Sequence, residues 1–152
     1  MGTFKLLHLL SVLIWVGGMF FAYVLLRPAI VETLEPPQRL RLWNAVFRRF
    51  FTWVWGAIAA LLISGTGLIV LYGGITQVAP HVHIMLLLAM MMIAVFAYVY
   101  FVCYRQFATH VTVERWKDAG EKLTSIRKLV AVNLTLGLLT VAVVVLGMAY
   151  GV

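Results

Sequence analysis

The chain has 152 residues, of which 64% are hydrophobic and 11% charged, against roughly half apolar and about a quarter charged in ordinary soluble domains. That balance excludes a water-soluble monomer, and between Arg49 and Arg105 no Asp, Glu, Lys or Arg interrupts the sequence. The formal charge of +7 argues for membrane-span ends rather than a nucleic-acid surface, because the basic residues fall between apolar blocks.

Crossing the hydrocarbon of a bilayer takes about 20 helical residues, and the uncharged blocks can be counted against that length. The first predicted span runs from Leu6 to Leu26, between Lys5 and Arg27. No small-x-small cleavage pattern precedes Arg27, so this segment reads as a retained span rather than a removable leader. After Pro36 and Pro37, the residues Leu40, Trp43, Val46, Phe47 and Phe50 recur at helical spacing among arginines, the pattern of a helix lying at the headgroup surface.

The long uncharged block is broken at Gly73, Gly74, Gln77 and Pro80 into spans of about Phe50–Tyr72 and His81–Tyr104. The segment His110 to Lys128 mixes apolar residues with charges of both signs, and is expected to extend the third helix before the chain turns back. A last span covers about Leu129–Tyr150. The predicted fold is all-α: a polytopic bundle of four transmembrane helices forming one domain over residues 1–152. Alternating ten-residue strands of a barrel are missing from the pattern. The connections after spans one and three hold eleven of the twelve Lys and Arg residues. By the positive-inside rule they are cytoplasmic, which puts both termini and the Gly73 turn outside.

Ionisable groups inside a span are costly unless neutral, paired or liganded, and His8, His81 and His83 therefore call for an explanation. The expected topology sets all three at one depth near the outer surface, where imidazoles from the first and third helices can face each other as a six-coordinate haem iron requires. His8 is the first candidate ligand. Ser11, Trp15 and Gly18 share its helix face, small residues beside a flat aromatic as a porphyrin slot needs, and Lys5 can meet a propionate. His81 and His83 point about 200° apart on a helix; His83, deeper in the span, is preferred as the second ligand.

The ordinary role of each such histidine alone is a hydrogen-bonded interfacial anchor. Copper is the rival occupant, since imidazole and thioether both suit Cu(I). Met19 and Met90 are the methionines whose spacing follows the histidines, although methionines in a span are usually core filler. Cys103 stands alone and forms neither an intrachain disulfide nor a thiolate cluster. His110 is expected in solvent. Ser64 and the other span hydroxyls are expected to bond their own helices. Asn133 is expected near the cytoplasmic end, pairing with a headgroup, a quinone carbonyl or another helix.

His8 followed by Trp15-Val16-Gly17-Gly18 and Leu26-Arg27-Pro28, then Arg48-Arg49-Phe50, Ser64-Gly65-Thr66-Gly67 and Arg127 through Asn133, resembles the copper resistance protein D family of small integral membrane proteins. A more distant similarity is to the four-helix, membrane-embedded protoporphyrinogen oxidases. The first resemblance implies a multi-pass protein of the bacterial inner membrane linked to copper. The second implies haem b, with electrons taken from a porphyrinogen, and both imply a functional histidine at position 8. The chain lacks the outer His- and Met-rich segments of a dedicated copper importer, and has Asn133 where the oxidases tend to place an acidic residue.

Three functions follow as expectations. The leading one is a b-type haem protein in electron transfer, with a quinone or redox protein as partner. The second is copper binding or transport, and the third a structural subunit of a membrane complex. Membrane lipid is an expected partner, a homodimer a further one, and nucleic acid is not.

Overall fold

The structure, a computed structural model, describes residues 1–150. Four long helices make up the fold: α1 Gly2–Thr33, α2 Pro36–Leu71, α3 Pro80–Thr112 and α4 Trp116–Tyr150, each long and apolar enough to cross a membrane. The chain is an all-α, four-helix bundle and a multi-pass membrane protein. At 1.5 Å per residue, α2 is about 54 Å long, well beyond the roughly 30 Å of bilayer hydrocarbon.

One expectation is corrected here. The amphipathic stretch after Pro37 is no separate surface helix but the opening of α2, because neither Gly nor Pro interrupts the chain from Gln38 to Trp55. Its start is sharply set. Glu35 and Gln38 form a capping box, with Glu35 N–H donating to Gln38 Oε1 at 3.3 Å, and the two prolines fill a first turn that needs no N–H. The segment His110 to Lys128 is a second correction: the third helix runs past its span only to Thr112, and Trp116–Lys128 opens α4 instead of extending α3.

The helices are not uniform. π-helical turns occupy Leu13–Gly17 and Phe21–Leu26 in α1 and Val99–Tyr104 in α3. The second of these directly precedes Pro28, whose ring and missing N–H an ordinary turn would not accommodate. Between α2 and α3, Gly73 and Gly74 adopt φ of +94° and +100°, a region open to glycine at little cost. In the connection between α3 and α4, Glu114 Oε1 accepts from Arg41 Nη2 of α2 at 2.7 Å.

The most extensive packing is α1 on α2 and α3 on α4, as short connections between antiparallel helices favour. The core joining the two pairs is aromatic and lies toward the end opposite the Gly73 turn. Phe47 and Phe51 stack at 5.2 Å and 2°, and Trp15 meets Phe96 edge-on at 6.1 Å. Toward the turn end, no described residue is buried beyond Ser11 on α1, Ser64 on α2, Met92 on α3 or Gly137 on α4. There the two helix pairs are splayed.

Within the α3–α4 pair, close approach depends on Gly147. A Cβ at that position would stand 2.5 Å from His81 Cβ and 2.6 Å from its Cγ, atoms too near the backbone to swing aside. Gly147→Leu is therefore expected to destabilise the bundle by about 1–3 kcal/mol, the usual scale of overpacking, seen as a lower thermal midpoint in detergent. An unchanged midpoint would contradict this packing.

Candidate metal site on the first helix

The inward stripe of α1 is Phe4, His8, Ser11, Trp15 and Met19, all buried or half-buried while most of their neighbours are exposed. His8 faces α2. Its Nδ1 lies 3.0 Å from Ser64 Oγ, and Gly65 leaves room beside the ring, since a Cβ there would come within 3.4 Å of His8 Cε1.

The hydrogen-bond directions follow from proton counting. Ser64 is buried and its Oγ sits 2.6 Å from Ala60 O. A carbonyl can only accept, so the single hydroxyl proton goes there. Ser64 Oγ must then accept from His8 Nδ1–H, which assigns the tautomer and leaves Nε2 with its lone pair. An imidazole oriented through one nitrogen by a polar partner, with the other nitrogen available, is the arrangement found at metal-ligating histidines. A neutral ring is also the form an apolar span tolerates.

The other expected residues are distributed as follows. Ser11 Oγ donates to Leu7 O at 2.8 Å and is buried, so it serves its own helix. Trp15 belongs to the aromatic core. Lys5 Nζ lies 5.9 Å from the Tyr72 ring centroid, a cation–π contact at the mouth of the α1–α2 pair. The space beside Gly18 is taken by the Phe50 ring, so the flat group admitted by this glycine belongs to the protein. His81 packs against Gly147 of α4, while His83 is exposed.

His8 and His81 thus belong to different helix pairs, His8 packed on α2 and His81 on α4. Among the described residues no group of three or more His, Cys, Asp or Glu converges as a metal cluster. Cys103 is buried in α3.

Three further polar residues differ from, or refine, their expected surroundings. Asn133 is 3% exposed and donates from Nδ2 to Met19 Sδ at 3.7 Å. It therefore joins α4 to α1 inside the bundle, bordering a cavity of about 10 Å³. His110 is half-buried, with its Nδ1 enclosed and without a hydrogen-bond partner among the described residues. Ser64 bonds its own helix as expected, yet its second role, orienting His8, was hidden. The available signal was a Ser-Gly step in an apolar span, which by itself marks only close packing.

Four helices long and apolar enough to cross a membrane, with one half-buried imidazole held against a buried serine, define a small multi-pass integral membrane protein. The sequence matches the family described as copper resistance protein D over residues 44–146, about two thirds of the chain, and the protein belongs to that family. The matched stretch begins after the first helix, so His8 lies outside it. No curated protein matches the chain, and no solved structure does. None of these comparisons supports the expected likeness to protoporphyrinogen oxidases.

Proposed function

We propose that the protein handles copper, as Cu(I), at the outer side of a bacterial inner membrane, with His8 Nε2 as the ion's imidazole ligand. Family membership supports the choice of metal. The observation that carries the site is the Ser64 hydroxyl, which gives its proton to Ala60 O and so holds His8 as the Nδ1–H tautomer. Imidazole nitrogen suits Cu(I), and the splayed turn end leaves His8 only half-buried.

That splaying also favours a second reading, a b-type haem between the two helix pairs, its iron on His8 and its electrons exchanged with a quinol or a redox protein. One preparation separates the two. Purified protein should be colourless and take up Cu(I) in an anaerobic titration with a chromophoric competitor. A Soret band with sharpened α and β bands on reduction would replace copper by haem. Failure to hold either would leave a bundle whose role is packing against other membrane subunits.

The same proposal places both termini and the Gly73 turn outside, supported by the concentration of Lys and Arg in the two other connections. In a Cys103→Ala background, Gln77→Cys should react with an impermeant maleimide added to intact cells, and Lys117→Cys should react only after lysis. The reverse pattern would move His8 to the cytoplasmic side.

A further inference from the structure

We propose that the end of the bundle opposite the Gly73 turn carries a binding site for the phosphate headgroup of an anionic membrane lipid, held between Arg27 of α1 and Arg127 of α4. The inference is independent of the metal at His8. Arg27 and Arg127 are both half-buried and flank, through the apolar parts of their side chains, one small cavity of about 20 Å³ lined also by Tyr23 and Trp43. The charge of Arg27 acts against that of Arg127.

Among the described residues, the ion pairs within 4.0 Å are Arg41–Glu114 and Arg115–Asp118, so neither Arg27 nor Arg127 has a carboxylate partner. Arg27 lies over the Tyr23 ring at 5.4 Å, and Arg127 Nη2 donates to Thr124 Oγ1 at 3.2 Å. Each guanidinium has five N–H donors, and these contacts leave most of them unused. Two like charges drawn partly out of water are unfavourable without an anion between them, and a phosphate accepts bidentate hydrogen bonds from arginine.

The neighbouring surface identifies the source of the phosphate. A groove of about 380 Å³ shares Tyr23 and Arg27 with the cavity and is walled by Val24, Pro28 and Val31, with the exposed carboxylate of Glu32 at its rim. Apolar walls leading away from paired arginines suit an acyl chain beneath a headgroup, whereas free phosphate has no use for them. Arg27 also stands at the end of the apolar run of α1, where headgroups lie.

The test uses full-length protein, delipidated in a neutral detergent, with phosphatidylglycerol, phosphatidylcholine and inorganic phosphate as probes, read by native mass spectrometry and thermal shift. Phosphatidylglycerol should be retained and should raise the midpoint, and Arg27→Gln and Arg127→Gln should each weaken its apparent affinity about tenfold. Arg49→Gln, an exposed residue outside the pair, should change it less than about twofold. The two variants lie on different helices, so one that fails to fold leaves the other to decide. Equal retention of phosphatidylcholine, a matching shift with inorganic phosphate alone, an equal loss in Arg49→Gln, or unchanged affinity in a folded Arg27→Gln or Arg127→Gln would each overturn the site.

Discussion

Phe51→Ala is expected to reduce the stability of the detergent-solubilised protein by about 3–5 kcal/mol, the range for truncating a buried aromatic. Phe51 is 2% exposed and is the meeting point of the two helix pairs. It stacks on Phe47 of its own helix at 5.2 Å and meets Phe96 and Tyr104 of α3 edge-on at 5.5 and 5.1 Å. In a bilayer, removing apolar surface from water no longer drives helices together, so shape and dispersion contacts carry the association. The void left by alanine would face three aromatic rings with little freedom to close over it. Unfolding followed by tryptophan fluorescence should show the loss; a change under about 1 kcal/mol would mean that another contact unites the pairs.

His8→Ala should abolish stoichiometric Cu(I) binding, because no neighbouring cluster of His, Cys, Asp or Glu offers a substitute among the described residues. Ser64→Ala is the more informative change. It removes the hydroxyl beside Nδ1 while leaving the imidazole and its backbone partner Leu61 in place, and a lost orienting partner typically weakens metal binding about 10- to 100-fold. His83→Ala and His110→Ala should bind as the unaltered protein does. Copper affinity unchanged in His8→Ala would remove the site altogether, whereas unchanged affinity in Ser64→Ala would remove only the orienting role.

The number of helices and the break between α2 and α3 could be read from the sequence because each depends on a local property, the length of an uncharged run against bilayer thickness and its interruption by Gly and Pro. The extent of α2 could not: the arginines around Phe47 suggested a surface helix, yet charge alone does not break hydrogen bonding along a helix that lacks Gly and Pro. Position 8 stood out because a histidine in a span needs a reason, but its neighbour did not. Depth along the membrane normal was inferred from charge, and depth places His8, His81 and His83 together without saying which helices touch. Short connections favour packing between consecutive helices, which sets His8 against Ser64 and His81 against Gly147. Gly18 shows the same limit, since a small residue announces a close approach but not whether a cofactor or Phe50 makes it.

The wide turns of α1 bear on where His8 points. Each holds more residues than a regular turn, so the segment on its amino side is rotated in phase relative to the rest of the helix. Without the one at Leu13–Gly17, a shift of a single residue would turn that segment by about 100°, carrying the imidazole away from α2 while Met19 and Arg27 kept their partners. The aim of the His8 imidazole is thus set by an angular offset built into its own helix, a turn or more away from the ring itself.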